Sequence, residues 1–349
     1  MAKSPSKHIL VTGGAGFIGM NAAIRFRELG WGVTILDNLS RRGTELNLRT
    51  LQKRYGDGVT FVRGDVRTDQ KTLGELVEAC DVVLHLAAQV AVTTSVTNPR
   101  EDFEINALGT FNLLEAIRTS RRRPSLLYAS TNKVYGGLEH IGVREEEKRY
   151  VFQGELTGVS EREPLDFHSP YGCSKGSADQ YVRDYARLYD MKTVVFRQSC
   201  IYGPQQFGVE DQGWVAWFLI AAMLGRPVTI YGNGKQVRDL LSVDDLLACY
   251  EAAIARMDRI SGSIYNVGGG AANTLSLLEF LALIQTRFGL SLNARRGGVR
   301  PGDQPIFVSD NGKALQELEW APRIGVHAGL DRLHAWLREH EQDIRVFYD

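Results

Sequence analysis

Tyr171 and Lys175 stand four residues apart in Tyr171-Gly172-Cys173-Ser174-Lys175, so on a helix they share one face. A lysine ammonium beside a tyrosine hydroxyl favours the phenolate and lowers a pKa that starts near ~10. Tyr171 is thus a candidate base for drawing a proton from an alcohol, provided a hydride acceptor lies nearby. A second hydroxyl, that of Thr131 in Ser130-Thr131-Asn132-Lys133-Val134-Tyr135-Gly136, is suited to orient the substrate oxygen. Asn132 and Lys133 follow it, and neither is a carboxylic acid. The set is equipped for redox chemistry and not for removing water.

The elements that must position these groups begin at the N-terminus. His8-Ile9-Leu10-Val11-Thr12 reads as a short buried strand, followed at once by Gly13-Gly14-Ala15-Gly16-Phe17-Ile18-Gly19 and a helical run from about Phe17 to Leu29. Strand, glycine turn and helix in that order are the context of a dinucleotide-binding fingerprint. Gly13 permits the tight turn, Gly16 the approach of a pyrophosphate to the helix N-terminus, and Gly19 close packing of helix on strand. The spacing is G-x-x-G-x-x-G, which taken alone also fits a purely structural turn. Asp37 ends the next strand, where a carboxylate accepts ribose hydroxyls and repels a 2′-phosphate, favouring NAD. Arg41 and Arg42 follow it and are able to receive such a phosphate, so NADP stays open. Asp65, at the end of Phe61-Val62-Arg63-Gly64-Asp65-Val66, suits an adenine amino group. Ala87 and Ala88, after the strand that begins at Asp81, let a cofactor lie on the backbone. This βα alternation predicts a doubly wound parallel sheet.

Composition agrees. In 349 residues, 44% are hydrophobic, enough for one large α/β unit or two lobes sharing a cleft. Lys plus Arg and Asp plus Glu both number 41, a balance that gives nucleic acid no purchase. No apolar stretch is long enough to span a membrane, and the first seven residues lack a secretion-signal core. The four scattered cysteines form no C-x-x-C pair and suit a reduced cytoplasm. His85, in a presumed core strand, reads as a satisfied structural histidine, and no metal is expected.

Together the glycine spacing, Asp37, Asn106, Thr131, the Tyr171/Lys175 pair and Tyr202-Gly203-Pro204 resemble the extended short-chain dehydrogenase/reductase superfamily, whose members modify nucleotide-activated sugars. Gln89-Val90-Ala91-Val92-Thr93-Thr94-Ser95, Ser130 to Gly136, Asp166 to Gly176, Asp211-Gln212-Gly213-Trp214-Val215 and Gly232 to Asp239 narrow the likeness to the CDP-paratose 2-epimerase (CDP-tyvelose epimerase) group. Sugar 4,6-dehydratases of the superfamily carry an Asp-Glu pair where Asn132 and Lys133 stand here. Nucleotide-glucuronate decarboxylases usually place a carboxylate in the same segment. An epimerase needs only oxidation, rotation of the flat ketone, and reduction from the other face.

The resemblance implies a Rossmann-type fold with a smaller C-terminal substrate-binding lobe. Residues 1–199 form the NAD domain, segments near 239–255 and 265–268 return to it, and 200–349 form the nucleotide-sugar lobe. It implies Thr131, Tyr171 and Lys175 as catalytic residues, with Tyr171 and Lys175 also touching NAD. The cofactor is held by Gly13, Gly16, Phe17, Ile18, Gly19, Asp37, Asn38, Ser40, Arg41, Asp65, Val66, Leu86, Ala87, Ala88, Gln89 and Asn106. The sugar nucleotide falls to Thr94, Thr131, Asn132, Lys133, Trp214, Val215, Tyr231, Arg238, Arg300 and Asp303. Arg238 and Arg300 match diphosphate-binding arginines. Trp214 either packs under a pyrimidine or is a plain core residue, and Asn132 and Lys133 either touch ring hydroxyls or merely hold a turn and solvate. The charge-rich stretch from about 138 to 169 is a lid over the sugar or a solvated insertion. Cys200 replaces an Asn frequent in the wider superfamily. Helices near Asp102–Ser120 and Gly172–Tyr189 are those that form a dimer's four-helix bundle, so a homodimer is expected. A nucleotide-hexose 4-epimerase is the enzymatic alternative, and a non-catalytic NAD-binding regulator the other. Intact Thr131, Tyr171 and Lys175 weigh against the second.

Overall fold

The computed structural model describes residues 7–298 and 304–349. Seven strands form its main sheet: β1 (His8–Thr12), β2 (Gly32–Asp37), β3 (Val59–Arg63), β4 (Val82–His85), β5 (Ser125–Thr131), β6 (Thr193–Gln198) and β7 (Ser263–Val267). Their spatial order is β3-β2-β1-β4-β5-β6-β7, and β1 runs parallel to both β2 and β4. Chain direction through the sheet reverses between β1 and β4. The strand ends at such a reversal frame a crevice where ligands of doubly wound folds bind. Register brings Thr12 level with Leu36 on one side and His85 on the other, so the carboxyl ends of three strands finish together.

The strands are short apolar runs because both sheet faces are covered. Leu10, Leu36, Val83, Leu126 and Val195 meet Leu113, Leu114, Ile117 and Val182 from the covering helices, all buried. Burying each such side chain stabilises the fold by about 1.5–3 kcal/mol. The helix after the glycine turn runs Phe17–Glu28, one residue shorter than expected. The expected single helix near Asp102–Ser120 is three pieces, Pro99–Phe103, a π-turn Glu104–Leu108, and Gly109–Thr119. The Tyr/Lys helix begins earlier than expected and spans Ser169–Tyr189.

The chain divides into two compact units. The first is Met1–Thr131, Ser169–Arg197 and Leu247–Tyr265, and the second is Asn132–His168, Gln198–Leu246 and Asn266–Asp349. The boundary at Arg197/Gln198 lies beside the expected one at 199. Residues 132–168 group with the second unit; Leu247–Tyr265 joins the first, so of the expected returning segments only 247–255 and Tyr265 do so. The 138–169 stretch is not all loop: Val143–Glu145 pairs antiparallel with Tyr150–Phe152. In the second unit the helix Trp214–Leu224 is apolar on every side and is sunk among Phe280, Ile284, Leu330, Leu333 and Trp336. No helix among the described residues is long and apolar enough to cross a membrane.

Candidate active site

At the reacting end, β5 delivers Thr131 and the helix Ser169–Tyr189 delivers Tyr171 and Lys175, all three buried. The Thr131 hydroxyl is hydrogen-bonded to that of Tyr171. Burial pushes the Tyr171 hydroxyl up to about 12, the Thr131 bond pulls it down, the Asp102 charge adds to the rise and Arg41 opposes it. Lys175 is also engaged by the neighbouring strand. Its ammonium donates to the Ala129 carbonyl at 2.5 Å and lies 4.3 Å from the centroid of the Tyr128 ring. Burial lowers Lys175 to about 7, against the pull of Asp179 and Asp102.

Below this pair lies a buried polar column. Arg197 and Asp179, 3% and 0% exposed, form an ion pair at 2.9 Å, and Ser130 donates to the same carboxylate at 2.8 Å. His85 stacks on Tyr128, meets Thr12 Oγ1 at 2.6 Å and Thr110 Oγ1 at 3.0 Å, and is driven down to about 3 by burial. It is the satisfied structural histidine that its strand position predicts.

The carboxyl ends of β1 and β2 fit a dinucleotide. Gly13 has φ +69°, and a Cβ there would stand 2.7 Å from the Ala87 nitrogen. A Cβ on Gly19 would stand 2.3 Å from the Gly13 carbonyl oxygen. Only glycine keeps this turn pressed against helix and strand. Gly16 is the N-cap of Phe17–Glu28 and provides no side-chain hydrogen bond, so the first-turn N–H groups and the positive helix end are directed to an anion such as pyrophosphate. Asp37 accepts from the N–H groups of Ala15 at 3.0 Å and Leu39 at 2.8 Å, which ties the glycine turn to β2. Burial raises its pKa, while those donors and Arg41 lower it. A carboxylate so bonded still has lone pairs for a ribose hydroxyl.

Other expected residues have partners that the sequence did not reveal. Asp65 is gripped by Arg67 through two bonds at 3.0 and 2.8 Å and by Asn38 Nδ2 at 2.9 Å. Burial raises the Asp65 pKa but the Arg67 hydrogen bonds prevail and hold it near 2. An adenine amino group would share that acceptor. Asn38 in turn accepts from the Ser40 N–H at 3.0 Å. Val66 is buried against the first unit's core and Leu86 donates its N–H to the Thr12 carbonyl. Asn106 makes a two-way pairing with the Gln89 backbone, 3.0 Å in each direction.

The expected sugar-nucleotide residues divide unevenly. Thr94 is exposed on a short helix, Val92–Thr97, in the first unit. Asn132 and Lys133 open a 3-10 turn in the second. Val215 is only 1% exposed, so its side chain is a core group and not a ligand contact. Trp214 packs edge-on against Phe280 at 5.1 Å, in line with the core reading of that ring. Tyr231 donates to Glu210 at 3.0 Å, and Arg238 donates to the neighbouring Val237 carbonyl at 2.7 Å. Cys200 is pushed up to about 12 by burial and is no nucleophile. Arg300 and Asp303 lie outside the described residues. Spacing alone missed Asp102, Ser174, Asp179 and Arg197; the intervals of four between Asp102 and Asn106 and between Lys175 and Asp179 were the available hints.

The model of the NAD dependent epimerase/dehydratase family matches residues 9–268. The chain belongs to that family. The resemblance to extended short-chain dehydrogenases/reductases therefore holds, and the chain is an NAD-dependent enzyme whose glycine turn fits the cofactor. CDP-paratose 2-epimerase of Salmonella typhi is 43% identical over 334 residues, covering 94% of this chain and 98% of that protein. Among solved structures, UDP-glucose 4-epimerase of Thermotoga maritima with UDP-glucose superposes with a TM-score of 0.82 at 28% identity, covering 96% of this chain and 99% of that one. The dTDP-glucose 4,6-dehydratase of Streptomyces venezuelae with NAD and TYD bound gives 0.82 at 27% identity, with coverage of 96% and 99%. The fold is shared across these proteins, while the reactions that they are named for differ.

Proposed function

We propose that this chain is a nucleotide-sugar 2-epimerase that interconverts CDP-paratose and CDP-tyvelose or a related CDP-hexose. One observation carries the reading: 43% identity, across nearly the whole of both chains, to the Salmonella typhi protein named CDP-paratose 2-epimerase. Asn132 and Lys133 agree with it, because neither side chain is the carboxylic acid that loss of water requires.

NAD, when bound, supplies a nicotinamide able to accept a hydride and give it back. Its pyrophosphate is held by the Gly13–Gly19 turn and the helix end at Gly16, its adenosine side by Asp37, Asn38, Ser40, Arg41 and Asp65, and its nicotinamide ribose by Lys175. Tyr171 is the base that takes the proton from the sugar C2 hydroxyl. Thr131, already bonded to Tyr171, holds the same oxygen and polarises the ketone. Burial holds the Tyr171 hydroxyl near 12, and the Thr131 hydrogen bond and the Arg41 charge favour its phenolate. The ketone turns over in the pocket, and Tyr171 returns the proton to the oxygen after reduction from the opposite face. This reading assigns the diphosphate to Arg238 and Arg300, and the ring hydroxyls, with the choice of sugar carbon, to Asn132 and Lys133.

We also infer a homodimer in the reducing cytoplasm. Phe103, Phe111, Tyr181 and Leu188 expose apolar surface on the helices of the Pro99–Thr119 run and Ser169–Tyr189, and Phe111 meets Tyr181 edge-on at 5.8 Å. Light scattering on the purified chain should give twice the chain mass, and Tyr181→Glu should halve it.

The decisive experiment incubates purified enzyme, with no added cofactor, with CDP-paratose and CDP-glucose separately and resolves the sugars by NMR. Inversion at C2 without NADH accumulating is the expected result. Inversion only at C4 of some other nucleotide sugar transfers the chain to the 4-epimerases, and no reaction with any sugar despite bound NAD ends the C2 mechanism.

A further inference from the structure

Asp102 is fully buried, yet it is not part of any core of apolar side chains. It is the penultimate residue of the short helix Pro99–Phe103, just ahead of the π-turn Glu104–Leu108. Such turns shift the register of the following helix by one residue and recur at functional sites. On one side the carboxylate accepts a hydrogen bond from the Ser174 hydroxyl. Ser174 directly precedes Lys175 on the helix that carries Tyr171, and its hydroxyl also reaches the Pro170 carbonyl at 2.8 Å. On the other side Oδ1 accepts from Gln89 Nε2 at 2.8 Å and Asn106 Nδ2 at 3.1 Å. Asn106 and Gln89 are themselves joined through the Gln89 backbone, which continues the strand end at Leu86, Ala87 and Ala88. One carboxylate therefore spans two pieces of chain more than seventy residues apart.

We propose that Asp102 is a positioning residue that couples the cofactor-facing loop after β4 to the helical turn carrying Tyr171 and Lys175. Through Ser174 it fixes the rotation of that turn. Through Gln89 and Asn106 it fixes the loop. Neither group touches the reacting atoms, but a base displaced by as little as about 1 Å loses on the order of 10²-fold in rate. Asp102 also lies within electrostatic reach of both Tyr171 and Lys175, so its charge is felt at the reacting end as well.

The hydrogen-bond inventory separates shape from charge. In Asp102→Asn the amide oxygen still accepts from Gln89 and Asn106. Its NH₂ then donates to Ser174 Oγ, and the Ser174 hydroxyl turns to Pro170. Asp102→Ala removes every link, and Ser174→Ala removes only the link to the helix. The turnover arm rests on the 2-epimerase reading above; the affinity arm does not.

The test measures NAD affinity by calorimetry, kcat and KM for the sugar nucleotide, and the thermal midpoint, on full-length wild type and the three variants. Asp102→Ala should weaken NAD about tenfold and lower kcat at least about 30-fold with sugar KM little changed. Asp102→Asn should restore both to within about threefold. Ser174→Ala should lower kcat about tenfold while NAD affinity stays within about twofold, a split that general loosening of the fold does not produce. A folded Asp102→Ala enzyme with wild-type kcat and NAD affinity overturns the proposal. So does an Asp102→Asn as damaged as the alanine variant, or a Ser174→Ala that loses NAD as Asp102→Ala does. Should Asp102→Ala fail to fold, the other two variants decide. A wild type inert at C2 refutes the function reading, and the NAD affinities then still judge the coupling.

Discussion

Asp102 in the first unit and Asp239 in the second are both buried carboxylates whose pKa is raised by burial, yet they are satisfied in opposite ways. Asp239 accepts backbone N–H groups of Gly270 and Ser309, each at 3.0 Å, and the Ser199 hydroxyl. It knots three stretches of main chain and fixes the path of the fold. Asp102 is held by side chains alone, those of Ser174, Gln89 and Asn106. Removing a backbone-bonded carboxylate strands donors that have no rotamer by which to find another partner. Side-chain donors are able to reorient. The first kind of buried charge specifies shape, and the second transmits position.

The comparison is broken most severely by Asp239→Ala. It leaves the buried Ser309 N–H and the half-buried Gly270 N–H without their acceptor and should cost roughly 4 kcal/mol, seen as loss of folded protein or a large fall in thermal midpoint. Should the variant melt like wild type, Asp239 is no knot. Next comes Tyr171→Phe, which should lower kcat on the order of 10³-fold, a change of about 4 kcal/mol, with NAD affinity and melting little altered. A smaller loss would mean that the reacting end has another base. A third effect comes from His85. Its folded-state pKa, about 3, lies below the unfolded 6.5, so the unfolded chain alone takes up a proton as pH falls. From pH 6.5 to 5 this should remove about 2 kcal/mol of stability. In His85→Asn the slope of denaturation free energy against pH should flatten by that amount; an unchanged slope would mean that another group titrates. The smallest effect is that of Asp239→Asn, which keeps an acceptor for the two N–H groups and should cost about 1 kcal/mol with kcat unchanged. A fall in kcat there would erase the distinction between the two carboxylates.

How much of this was legible in the sequence follows from the range of each interaction. The glycine turn, the strand end at Asp37 and the placing of Tyr171 and Lys175 on one helix are local patterns and lie where the spacing put them, while Asp65 falls two residues beyond its strand, which ends at Arg63. Asp102 and Ser174 were read only as helix, because nothing within one helical turn of either reveals a partner 72 positions away. Lys175 was assigned to Tyr171 from spacing alone. The Ala129 carbonyl and the Tyr128 ring come from a neighbouring strand and also engage it. The π-turn at Glu104–Leu108 and the hairpin at Val143–Phe152 escaped for a related reason: neither has a periodicity of its own. Val215 shared a motif with residues expected to bind ligand, but helix geometry turned it into the core.

The division between the compact units falls at the peptide bond joining Thr131 to Asn132. The hydroxyl proposed for the redox step thus closes one compact unit, and the two side chains proposed to meet the sugar ring open the other, so a single peptide bond is shared by the group that would react and the groups that would choose.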